Sequence, residues 1–94
     1  MYNKLIENYL SKLTKDDVIL LAFKNNIILS PNEVDYLYKT IKNKYQILLS
    51  NNYEIIFKEA NDYLKKDNIK KLYNLYLDYR NKYKNYLNLT NFDI

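Results

Sequence analysis

The chain has 94 residues, enough for one modest domain, with 15 Lys+Arg against 11 Asp+Glu and a formal charge of +4. It contains no Gly, Cys, His or Trp, and its single Pro is at position 31. The missing Cys and His exclude disulfides, thiolate or imidazole metal sites and Cys–His or Ser–His nucleophiles within it; the missing Gly excludes the P-loop and the dinucleotide fingerprint, whose backbones must approach phosphate closely.

Apolar residues recur at helical spacing through most of the chain and nowhere alternate for long at the strand period. Leu5, Ile6, Tyr9, Leu10 and Leu13 make a short first amphipathic helix. Thr14 with Asp17 reads as a cap and first-turn acid. A second helix from about Lys15 carries Val18, Leu21, Ala22 and Asn25 on one line and stops at Asn25-Asn26, because Asn tolerates the left-handed conformation at a helix end. Ile27-Ile28-Leu29 is too short for an independent strand and is expected as an extended connector pinned to the core.

Ser30-Pro31-Asn32-Glu33 is the strongest local signal: a capping Ser, a Pro where its missing N–H is harmless, and a Glu closing the box. The third helix then runs along Val34, Leu37, Tyr38, Ile41, Tyr45, Leu48 and Leu49 to a break at Ser50-Asn51-Asn52. Asn51 with Glu54 repeats the capping pattern for a fourth helix, about Asn52 to Lys65, holding Tyr53, Ile56, Phe57, Ala60, Tyr63 and Leu64. Lys66-Asp67 is expected as a hinge with Asp67 the next cap. The last helix starts near Asn68 and reaches Leu87, about 30 Å at 1.5 Å per residue. The sequence thus predicts an all-α, single-domain bundle of about five helices over residues 1–87, with a C-terminal tail over 88–94 and no internal repeat.

Asn (15), Lys (14), Tyr (12) and Ile (10) make up more than half of the chain. Their codons are rich in A and T, so the bias reads as a low-GC genome before it reads as chemistry. The longest apolar run, Val18 to Phe23, is six residues, against about 20 for a membrane span and at least about 7 for a signal peptide. The expected location is the cytoplasm, with no membrane partner.

In the last helix Ile69, Leu72, Tyr76, Tyr79, Tyr83 and Tyr86 follow at spacings of 3, 4, 3, 4 and 3, a two-position heptad seam. One reading makes it a core-facing stripe, with tyrosine rings buried at the rim and hydroxyls in water. The sharper reading has the C-terminal turns overhang a shorter neighbouring helix, so that Tyr79, Tyr83, Tyr86 and Leu87 present an aromatic patch to a protein partner or a second copy.

From Lys65 to Tyr86 there are seven positive charges against two negative. Lys70, Lys71, Arg80, Lys82 and Lys84, interleaved with tyrosines, are candidates for phosphate contacts and base stacking on nucleic acid. A solvated helix face explains the same residues, with Asp78 and Lys82 paired at i,i+4. The chain's lone Arg also argues against specific base reading. Residues 14–49 can be drawn as a helix–turn–helix with Val34 to Tyr45 as recognition helix, but Glu33 and Asp35 would face phosphate and the turn lacks its usual glycine.

Catalysis has little to work with. Asp16-Asp17 complements a helix dipole, Ser30 caps, and Glu54, Glu59 and Asp62 lie along one helix. Asn88-Leu89-Thr90 matches a glycosylation sequon, read as chance. Neither enzyme activity, a metal, a cofactor nor a small-molecule substrate is expected.

Leu13 to Val18, Asn26-Ile27 with Leu29-Ser30, Glu33 to Tyr38, Ile41-Lys42, Tyr45 and Leu48-Leu49 together resemble a family of short all-helical proteins of unknown function from low-GC, Bacillus-type Gram-positive bacteria. The resemblance covers mainly residues 13–49; the family more often has Gly where Asn26 stands. It implies a bacterial cytosolic helical protein and supplies no site residues. The resulting expectation is a small non-enzymatic protein–protein interaction module of adaptor, regulator or inhibitor type, using the aromatic C-terminal helix. The alternative is a nucleic-acid-associated accessory protein using the basic residues of that helix.

Overall fold

In the computed structural model, which describes residues 4–82, five α-helices follow one another: α1 (Lys4–Ser11), α2 (Lys15–Lys24), α3 (Pro31–Leu48), α4 (Glu54–Ala60) and α5 (Lys66–Lys82). No strand occurs among the described residues, and the molecule is a small all-α bundle. α3 is the central element: α1, α2 and α4 pack on it, and α5 packs on α4.

Local chemistry starts α2 and α3 where the spacing predicts, whereas α1 ends at Ser11, so Leu13, expected on the first helix, is buried from the short linker before α2. Thr14 Oγ1 accepts the Asp17 N–H at 3.1 Å while the Asp17 carboxylate accepts the Thr14 N–H at 2.9 Å, a complete capping box. Ser30 and Glu33 repeat it for α3, at 3.3 and 2.9 Å, with Pro31 opening the helix. α2 ends on a Schellman motif. Asn26 takes φ 62°, its N–H bonds Phe23 O at 3.1 Å, and the Ile27 N–H bonds Ala22 O at 2.9 Å, the two closures that motif requires. The turn drives Ile27 into the core at 2% exposure while Ile28 is left 79% exposed. The connector is therefore pinned at alternate residues rather than along its length.

Leu13, Val18 and Val34 form the centre of the core, with Leu29, Leu37, Tyr38 and Ile41 packed around them. Ala22, Leu49, Ile56, Ala60 and Leu64 are buried as well. α3 is interrupted at Lys44, whose φ of −129° and ψ of 20° depart from helical values; nothing in Asn43-Lys44-Tyr45 signals this.

The second half departs from expectation at three places. α4 spans seven residues instead of about fourteen. After Ala60 the chain tightens into i→i−3 bonds, Asn61 N–H to Lys58 O, Asp62 N–H to Glu59 O and Tyr63 N–H to Ala60 O, a 3₁₀-like ending that turns Leu64 into the core. Asn51 and Glu54 do not cap α4: Tyr53 precedes it with no side-chain cap, because Asn51 Oδ1 accepts from Arg80 Nη2 at 3.1 Å and Glu54 accepts from the Tyr73 hydroxyl at 3.2 Å. Nor is Lys66-Asp67 a hinge. α5 begins at Lys66, and its first-turn acid Asp67 is exposed. The helix reaches Lys82; the expected continuation to Leu87 and the tail over 88–94 lie outside the described residues.

Both ends of α3 are tied to α5. At the start, the Glu33 carboxylate meets Lys65 and Asn68. At the end, Leu48 O accepts from the Tyr76 hydroxyl and from Arg80 Nη1, the latter at 3.3 Å. α3 and α5 therefore run in the same direction.

Candidate interaction surfaces

α2 is ten residues long and is held at both ends by the caps described above. Six consecutive apolar residues, Val18 to Phe23, fill most of it. A helix turns 100° per residue, so such a run cannot all face one neighbour. Val18 and Ala22 are buried and Leu21 is half-buried, whereas Ile19, Leu20 and Phe23 are exposed, Phe23 to 69%. Asn25, expected on the buried line, is exposed, its amide donating to Leu21 O at 2.8 Å. This outward face was not identified from the sequence as a site. The signal that locates it is the six-residue run itself.

The expected aromatic patch is described only in part. Tyr79 is half-buried, and Tyr83, Tyr86 and Leu87 lie outside the described residues. Further up α5, Tyr73 and Tyr76 close on Tyr53 and Phe57 of the α4 region at ring separations of 5.0–6.5 Å. Tyr76, a member of the stripe, and Tyr73, which lies outside it, line the α4–α5 contact. Burial raises the Tyr76 phenol above its ordinary pKa, against the opposing charge and hydrogen bond of Arg80.

The basic residues of α5 separate into different roles. Arg80 is turned inward: its guanidinium lies 4.4 Å from the Tyr53 ring centroid and donates to Leu48 O, the Tyr76 hydroxyl at 2.9 Å and Asn51 Oδ1. It thus caps the C-terminal end of α3 with positive charge, half-buried and already engaged by three protein acceptors. Lys71 Nζ reaches Asn26 O at 3.4 Å. Lys70 and Lys82 are exposed, and Lys84 lies outside the described residues. The helix–turn–helix drawing fares poorly, because α3 is the central helix covered by three others rather than a projecting one. Asp35, in the second turn of α3, is held between Lys15 at 2.8 Å and Lys39 at 3.0 Å.

A shallow groove of about 400 Å³ runs along α3 past Asn32, Asp35, Lys39, Thr40, Lys44 and Tyr63. Tyr63 stacks on Tyr36 across it at 4.4 Å, with planes 14° apart. Its charges are already paired: Lys44 meets Glu59 at 2.9 Å, and hydrogen bonds from Lys15 and Lys39 hold the Asp35 carboxyl below its usual range. That is the direction of an ion pair, not of a proton donor poised near neutrality. Among the described residues no group of three Asp or Glu converges on a metal position, and no helix is long and apolar enough to cross a membrane.

No protein-family model, curated protein or solved structure matches the chain, and no site residue is carried over from a relative.

Proposed function

We propose that the protein is a small non-enzymatic helical interaction module, of adaptor, regulator or inhibitor type, acting in the cytoplasm of a low-GC bacterium. The observation that supports this most is the outward face of α2. Ile19, Leu20 and Phe23 stand exposed on a helix capped at both ends, and clustered exposed apolar side chains are what a protein interface buries at its centre. The row from Tyr79 to Tyr83, Tyr86 and Leu87 belongs to the same reading through its sequence spacing.

A photo-crosslinking residue placed at Phe23, at Tyr79 and, as a control, at the exposed Lys58 of α4 tests this in producing cells. Discrete protein adducts from position 23 or 79 and not from 58 are expected. Equal or absent labelling at all three positions would remove the reading.

A further inference from the structure

We infer that the exposed face of α2 pairs antiparallel with the same face of a second copy of this chain, an inference that rests on the interaction-module reading and names its partner. The face is self-complementary. Asp16, Leu20 and Lys24 follow at i, i+4 and i+8, so they stand in one row on the helix surface, with Ile19 and Phe23 beside Leu20. All five are exposed.

A two-fold axis through Leu20 sets Leu20 against Leu20 of the second copy. It brings Asp16 opposite Lys24 of that copy, and Lys24 opposite its Asp16, because 16 and 24 lie equally far from 20. An isologous interface requires this symmetry of a single patch, and the acid-first, base-last order that suits the helix dipole also supplies it.

The neighbouring charges sharpen the point. Lys15 is taken by Asp35, and Asp17 is taken by the Thr14 N–H. Among the described residues Asp16 and Lys24, the two charges on the apolar face, have no ion-pair partner. A parallel pairing would set Asp16 against Asp16 and Lys24 against Lys24, so charge selects the antiparallel arrangement.

Sedimentation of the full chain from about 1 µM to about 1 mM, the range in which a small interface associates, reads the pairing directly. A concentration-dependent dimer is expected. Asp16→Lys and Lys24→Asp should each weaken it about tenfold, since each change acts twice per dimer, and the double variant should recover most of the loss. Leu20→Glu, at an exposed position, should leave the chain folded by circular dichroism and monomeric. The chain has no Cys of its own, so Leu20→Cys should oxidise readily to a covalent dimer. Asp16→Cys should not, because antiparallel pairing separates the two positions by about 12 Å along the helix, beyond disulfide reach.

A monomer throughout the range, a dimer untouched by Leu20→Glu, or a double charge swap no tighter than the single variants overturns the pairing. Crosslinking at position 23 separates the two claims. Adducts only to a different protein retain the interaction module and reject self-pairing, whereas a monomer with no adducts from position 23 or 79 rejects both.

Discussion

The Glu33 carboxylate accepts the Lys65 backbone N–H at 2.9 Å, joining the first turn of α3 to the start of α5 across 32 residues of sequence. The same carboxylate closes the capping box with the Ser30 N–H and takes the Asn68 amide at 3.1 and 3.2 Å, while Asn68 also reaches Ile28 O. Glu33 is only 3% exposed and has no cationic side chain against it among the described residues. A buried charge without an ion-pair partner persists only when hydrogen bonds replace its lost water. Here the two helix starts supply them.

Glu33→Gln is expected to destabilise the protein by about 1–3 kcal/mol at neutral pH, the range for removing charge-assisted hydrogen bonds from a buried site. Urea denaturation measures it. A change under about 0.5 kcal/mol, the range of an ordinary surface substitution, would mean that the carboxylate is not the tie between α3 and α5.

The pH dependence follows from the same bonds. Burial pushes the Glu33 carboxyl up, but the hydrogen bonds from Ser30, Lys65 and Asn68 outweigh it and leave the group below its ordinary value of 4.5. A carboxyl depressed by folding contributes stability that is fully present above its unfolded pKa and is lost as pH falls through the folded one. The stability difference between the native chain and Glu33→Gln should be level from pH 6 to 8, taken as about the range clear of carboxyl titration, and shrink on acidification below the usual glutamate range. Paired denaturation curves across that range test it; a difference that grows with acid contradicts the assignment.

Arg80→Ala should behave as a fold mutation. It removes the guanidinium from the Tyr53 ring and from Leu48 O, the Tyr76 hydroxyl and Asn51, an expected loss of about 1–3 kcal/mol. Arg80→Lys should recover little, because a point charge cannot satisfy three directions from one plane. Thermal melts of both variants decide it: a melt of Arg80→Ala unchanged from the parent would place Arg80 outside the fold.

Mixed-sequence nucleic-acid probes followed by fluorescence anisotropy are expected to lose binding as salt approaches about 0.15 M, where exposed charges are screened within about 8 Å. Arg80 is held inward, so the basic row of α5 offers Lys70, Lys71 and Lys82 among its described residues. Binding that survives near-physiological salt, with a slope of about four or more released counterions, would restore the nucleic-acid reading to first place.

Asn26 holds the left-handed position that ends α2. Asn26→Val should cost about 1–2 kcal/mol, the penalty of a β-branched side chain in that region, while Asn26→Gly should be close to neutral. Both are exposed substitutions, so chemical denaturation reads the backbone effect with little change in packing. Equal stability of the two variants would show that the turn does not depend on this conformation.

The sequence alone determined what short-range bonds determine. The boxes at Thr14/Asp17 and Ser30/Glu33, the stop at Asn25-Asn26 and the all-helical class rest on partners three to five residues apart, and pattern reading reaches that distance. It did not reach the second half of the fold. Asn51 and Glu54 have the spacing of a cap, yet Arg80 and Tyr73 claim their side chains from 29 and 19 residues away. The start of α5 was set by Glu33 rather than by Asp67. The same limit governed the candidate surfaces. Periodicity marks the apolar stripe of α5, but whether Arg80 faces solvent depends on where Tyr53 and Leu48 stand. The run Val18 to Phe23 reveals too many apolar residues for one face, but only the docking of α2 on α3 decides that Ile19, Leu20 and Phe23 are left outside. Local hydrogen bonds are written in spacing. Burial is a property of the assembled neighbours, and competition among distant partners for one polar group is settled only when they meet.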